Sequence, residues 1–254
     1  MVTNYTYMKR LVSLLFWLII SLYPTYGQQI KHSHTIVIGF LQLKDQLNLG
    51  MVFNGVQLEY RYGLHWKIND HEILYQPKLG FGVGFNRGMT GAQVHIAPIN
   101  VTWNMPFYEQ NGHTIRGGIN FNADYNYQAY PFLHDAHLFW ATAIGISPVM
   151  IYSYQWDNRR INASLQNSLF GFSSHIQNYD PHYYSLTTKD FFVKPHKDLK
   201  FGSFNNYNHT SISLEFVPSI SQKHSFVYEF DYLSFFYGNR FDRINHNMLW
   251  RMSL

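Results

Sequence analysis

The chain is 254 residues long, carries a net charge of +4 and contains no cysteine, which removes disulfides and thiolate metal sites from consideration. No block of lysine and arginine marks a nucleic-acid footprint. Aromatic residues make up 19% of the chain against 13% for Asp, Glu, Lys and Arg together, a balance that excludes a disordered chain and suits strands with aromatic faces.

Residues 1–27 are expected to be a cleaved secretory signal. Lys9 and Arg10 precede an apolar run from Leu11 to Tyr23, and Pro24 and Gly27 lead into Gln28, the order of charge, apolar core and cleavage site. The run falls short of the roughly 20 residues of a spanning helix. No later stretch is apolar enough for one, so if residues 28–254 enter a membrane they do so as strands.

Ile36 to Leu43 is the first extended run, and Asn54-Gly55 predicts a tight turn or a bulge. Val56 to Trp66 is the most regular stretch: Val56, Leu58, Tyr60, Tyr62, Leu64 and Trp66 share one face, and Gln57, Glu59, Arg61, Gly63 and His65 the other. Its length matches the roughly 9–11 residues of a tilted strand crossing a bilayer. In Leu74 to Phe85 the glycines Gly80, Gly82 and Gly84 recur every second residue with no helix after them, so they are not a dinucleotide loop. They are read as making room for bulky neighbours inside a barrel.

Gln93 to Trp103 follows, with Pro98 marking a bulge, and Pro106 to Gly112 reads as a turn. Ile115 to Tyr127 alternates cleanly, Leu138 to Tyr154 is interrupted at Pro148, and Ile161 to Phe170 returns. Ser173 to Asn208 is long and irregular, and Thr210 to Phe216, Phe226 to Phe236 and Ile244 to Leu254 close the chain. These runs predict an all-β fold, a transmembrane antiparallel up-and-down β-barrel of about ten strands, or twelve if the irregular stretch adds a pair.

The face opposite the apolar one carries Glu59, Arg61, Lys78, Arg116, Asp124, Glu215, Glu229, Asp231 and Arg251. Such a near balance of sign predicts a polar, largely filled lumen in which the charges pair. The alternative is a secreted soluble barrel with the apolar face inward around an apolar ligand.

Ile244, His246, Met248, Trp250, Met252 and Leu254 alternate to the end of the chain. This resembles the terminal strand of small Gram-negative outer-membrane β-barrel proteins, although those usually end in an aromatic residue. The resemblance implies residence in the outer membrane, contact with its lipids and lipopolysaccharide, and recognition of the C-terminal strand by the barrel-assembly machinery. It is a likeness to a class and names no activity.

His209, Ser211 and Glu215 share one face of a strand. The His-x-Ser spacing resembles that of the outer-membrane phospholipase and lipid A deacylase barrels, which implies His209 as base, Ser211 as nucleophile and Glu215 as the group orienting the base. Thr210, Ile212, Leu214 and Phe216 form the apolar set, so the pair faces the lumen, whereas in those hydrolases it faces the bilayer. Hydrogen-bonding lumenal residues are the plainer reading. His32, His34, His134 and His137 are read as interfacial or loop residues, with no metal or cofactor. In the long stretch, Tyr179, Tyr183, Tyr184, Phe191 and Phe192 are placed to stack on a sugar or a partner, and Lys194, His196, Lys197 and Lys200 to meet lipopolysaccharide phosphates. The expected role is non-enzymatic, as a surface binding, anchoring or narrow-transport component, with lipid hydrolysis as the alternative.

Overall fold

A computed structural model describes residues 30–45, 50–131, 138–175, 193–203, 205–220, 223–237 and 239–253. The expected signal, residues 1–27, lies outside these, as do His134 and His137 and the aromatic residues from Tyr179 to Phe192. Ten staves form the fold: β1 (Lys31–Asp45), β2 (Val52–Ile68), β3 (His71–Tyr75 and Lys78–Asn86), β4 (Met89–Gln110), β5 (His113–Ala129), β6 (Leu138–Trp156), β7 (Arg159–Asn167 and Phe170–His175), β8 (Lys200–Ser203 and Tyr207–Val217), β9 (His224–Tyr237) and β10 (Asn239–Ser253). Each pairs antiparallel with the next, and β10 returns to β1 with Leu249 opposite Val37, so the sheet has no edge. Closure pairs the backbone groups within the wall, which is what a hydrocarbon surrounding demands.

Period-two alternation decides what each face meets. Ile38, Val56 and Met248 point outward and are 64%, 62% and 68% exposed, while Gln57, Glu59 and Arg61 point inward and are buried. An apolar exterior on a closed antiparallel barrel is the surface of a membrane-spanning barrel. The soluble alternative, with the apolar face turned in, is therefore corrected: the continuous apolar face is the outer one.

All four reversals at one end, where β1 starts and β10 stops, are short: Ile68 to His71, Gln110 to His113, Trp156 to Arg159 and Val217 to His224. The other end mixes short reversals, Asn86 to Met89 and Tyr237 to Asn239, with the longest connection, from His175 to Lys200. Asn111-Gly112 (φ 52° and 81°) and Arg87-Gly88 (φ 44° and 84°) both adopt the left-handed pair whose twist matches a two-residue hairpin.

Several local expectations change. Asn54-Gly55 is neither turn nor bulge but lies in regular register inside β2, with Gly55 opposite Leu41 and Gly84. β4 runs through Pro106 to Gln110, with a register shift between Pro106 and Tyr108, and the expected bulge at Pro98 is present between Ile96 and Ile99. Pro148 does not interrupt β6, where it stands opposite Ile119. The break falls in the neighbour instead. Ile146 accepts from the Leu169 amide, so Pro148, two residues on, also turns its backbone toward β7 but has no N–H to give. The β7 ladder is interrupted there, between Asn167 and Phe170.

Candidate functional site

The lumen has three layers. At the loop end it is closed by an apolar plug that includes Leu41, Phe53, Tyr130, Phe139, Phe235 and Phe241. Small inward residues seat these side chains. A Cβ added at Gly82 would stand 2.6 Å from Leu41 Cδ2, one at Gly91 2.7 Å from Tyr130 Cε1, and one at Gly171 2.7 Å from Tyr207 Cε1. At Gly82 this is the room-making role expected of the inner-face glycines. Within the plug His175 Nε2 meets Asp45 Oδ2 at 2.9 Å, both side chains being buried.

Below the plug a belt of ion pairs crosses the barrel. Arg61 places its two terminal nitrogens on Glu229 (2.6 and 2.8 Å) and its Nε on Glu59 (2.5 Å). His95 bridges Glu59 (2.8 Å from Nδ1) and Asp124 (2.9 Å from Nε2), an arrangement satisfied on both sides when each ring nitrogen carries a proton. Arg243 grips both oxygens of Asp124 (3.0 and 3.2 Å) and donates to Asp231 (2.9 Å), which reaches His209 Nε2 at 2.9 Å. Side-chain amides extend the belt: Asn126 donates to Asp124, Gln93 to Asn126, and Gln57 to Asn247, which in turn donates to Glu229. Six staves thus lock their inner faces together across more than 180 residues of sequence. Paired and hydrogen-bonded in this way, the charges avoid the penalty of isolated burial.

At the turn end the lumen opens into a polar vestibule of about 1260 Å³, lined by residues such as Asn100, Asn120, Asn162, Ser164 and Ser213, with turn residues Asp70 and Asn111 at its rim. The expectation of a polar and largely filled lumen is corrected on two points. The filling at the loop end is apolar, and the turn end is open. Pairing of the lumenal charges is as expected for Glu59, Arg61, Asp124, Glu229 and Asp231, and also for Glu215 with Arg251 (2.8 Å).

His209 and Ser211 face the lumen, as their neighbours require. The structure brings His209 to Asp231 and places Glu215 elsewhere, on Arg251, Asn162 and Ser225. Among the described residues Ser211 makes no hydrogen bond with His209, whose Nε2 is turned to Asp231. His32 and His34 are not a free pair either. Both point outward, where their Nδ1 atoms lie 2.6 Å from the Tyr62 and Tyr60 hydroxyls. His113 meets Tyr152 and His224 stacks on Trp250 in the same turn-end girdle, and no group of three metal-capable residues occurs among the described residues. Of the loop residues, Lys194 begins a single 3₁₀ turn, Lys197 is exposed with its carbonyl accepting from Ser174, and His196 meets the Tyr125 hydroxyl at 2.8 Å.

Arg243 and His95 are the belt residues that reading the sequence missed. Arg243 lies just ahead of the recognised alternation, and extending the inner face of Asn245, Asn247 and Arg251 back by two residues finds it. His95 shares its face with Gln93 in a strand whose faces Pro98 obscures.

No family model matches the chain, and no curated protein matches it. Among solved structures it is similar to the translocator domain of the autotransporter NalP from Neisseria meningitidis (7% identity, TM-score 0.46, 98% of this chain and 97% of that one). It is also similar to the β domain of the Bordetella autotransporter BrkA (9%, 0.43, 89% and 100%) and to Neisserial surface protein A (10%, 0.38, 89% and 99%). The chain has the build of an outer-membrane-type β-barrel: antiparallel, closed, apolar outside and polar at mid-lumen.

Proposed function

We propose that this is an integral outer-membrane protein, exported by a signal over residues 1–27, whose barrel is a blind vestibule and works as a binding or anchoring component rather than an open pore. The end whose reversals are all short lies on the periplasmic side of such barrels, so the vestibule faces the periplasm and the end carrying the long connection from His175 to Lys200 faces outward. The observation that carries this reading is that two layers in series, the ionic belt and the apolar plug, lie between the vestibule and the loop end. On the outer side, Tyr179, Tyr183, Tyr184, Phe191, Phe192, Lys194 and Lys197 remain the residues for contact with lipopolysaccharide or a surface partner. β10 is the strand offered to the assembly machinery. Folded protein recovered from outer membranes should migrate faster unheated than boiled, and in a planar bilayer it should give no stepwise conductance. Steady unitary currents would overturn the blind-vestibule reading, and a soluble, non-shifting protein would overturn the membrane assignment.

Asp231 favours a second reading, since it gives His209 the carboxylate that Glu215 does not. Under it His209 and Ser211 hydrolyse a lipid ester with Asp231 as the orienting group. The lumenal aspect of the pair argues against access by a lipid. The detergent-folded protein is therefore expected to show no esterase activity, and Ser211→Ala no change. Activity abolished by Ser211→Ala in a protein that still shifts on heating would establish the hydrolase instead.

A further inference from the structure

Part of the vestibule holds more positive charge than its partners neutralise, its basic groups entering from β7, β10, β1 and β2. Arg160, on β7, faces the lumen beside Asn162 and Ser164. Among the described residues it has no ion pair, and its Nε is buried without a hydrogen-bond partner. Arg251, on β10, donates one terminal nitrogen to Glu215 (2.8 Å), but its Nε is also unpartnered. Lys31 and His65 stand on β1 and β2, opposite each other in the ladder, and line the same vestibule. Arg160, Arg251, Lys31, His65 and Glu215 all line the vestibule, and Arg251 pairs with Glu215, so the group counts one carboxylate among three permanent cations. Arg116, on β5, differs: it is held by Asn104 (2.6 Å), the Asp70 carbonyl (3.0 Å) and Glu72 (3.3 Å). Arg160 adjoins amides and hydroxyls, namely Asn162, Ser164, Gln166 and Ser213, groups that hydrogen-bond a hydroxylated solute.

We propose that Arg160, Arg251, Lys31 and His65 form a binding site for the anionic end of a small hydrophilic solute, a phosphate or carboxylate carried on a hydroxylated body, taken from the periplasmic side. Guanidinium groups suit this task because their fork of donors matches the oxygens of either anion. The inference rests on the vestibule described above and names what enters it.

Protein folded in uncharged detergent is titrated in a calorimeter with glucose 1-phosphate, gluconate and glucose. Glucose 1-phosphate, gluconate or both should bind and glucose should not, the responding anion distinguishing phosphate from carboxylate. Arg160→Gln should weaken that binding by about tenfold or more, the loss of one charge-assisted hydrogen bond. Lys31→Gln, at an exposed rim position, should also weaken it, and Lys44→Gln, outward-facing at the loop end, should not. Absence of binding by both anions, equal binding of glucose, or unchanged affinity in both Arg160→Gln and Lys31→Gln overturns the proposal. Conductance recorded on the same preparation separates the two readings: a conducting barrel that binds these anions overturns only the blind vestibule, and a silent one that does not bind them overturns only the anion site.

Discussion

Arg243→Ala should lower the unfolding free energy of the barrel by about 3–5 kcal/mol, the cost of stripping a buried ion cluster of one partner. Its guanidinium is 1% exposed and ties Asp231, on the adjacent stave, to Asp124 across the lumen. Alanine leaves both carboxylates buried in a layer that water can reach only through the vestibule. Arg243→Lys should recover only part of the loss, since an ammonium cannot present a planar fork to two carboxylates at once. Arg240, three residues earlier on the same strand, provides the comparison. It pairs with Asp242 at 2.8 Å but is 54% exposed, so Arg240→Ala should cost about 0–1 kcal/mol. Urea unfolding of protein reconstituted in vesicles, followed by tryptophan fluorescence, measures both. An Arg243→Ala loss no larger than that of Arg240→Ala would show that the belt does not hold the wall together. The triple change Arg243→Met, Asp124→Asn and Asp231→Asn removes the charges as a set and should regain most of the stability, because replacing a buried cluster outright avoids the unpaired ion.

Much of this architecture was legible in the alternation, because a period of two fixes which face each side chain takes once a strand is granted. Val56 to Trp66 and Ile115 to Tyr127 gave their faces correctly, and the inward positions of Glu59, Arg61, Asp124 and Asp231 followed. The prolines were harder. Pro98 was readable as a bulge because it breaks the pattern of its own strand, whereas Pro148 leaves its own strand intact and breaks the neighbour, a consequence that belongs to the pairing. The plug was hidden for a related reason. Leu41, Phe53 and Phe241 are apolar residues on the inner face near stave ends, and a rule that sends apolar residues outward has no place for them. Which charges meet was equally illegible: Asp124 and Arg243 are 119 residues apart, and only barrel closure makes them neighbours. The turn to Asp231 rather than Glu215 as the partner of His209 comes from hairpin register, which sets Asp231 opposite Ser211 on the adjacent stave.

Phe241→Ala tests whether the plug is structure in its own right. Phe241 is fully buried, stacks on Phe235 with ring centroids 5.1 Å apart, and lies 6.0 Å from the His175 ring. Truncation removes a ring from a packed layer and leaves a cavity, with an expected loss of about 3–5 kcal/mol, whereas Phe241→Leu should cost about 1–2 kcal/mol because most of the volume is kept. The same unfolding measurement decides it, and equal effects of alanine and leucine would mean that the layer is loosely packed. Bilayer recording on Phe241→Ala then asks a different question. The ionic belt still lies between the cavity and the vestibule, so the variant should remain silent. Stepwise conductance from this single substitution would show instead that the aromatic layer alone seals the lumen and that the belt is permeable to ions.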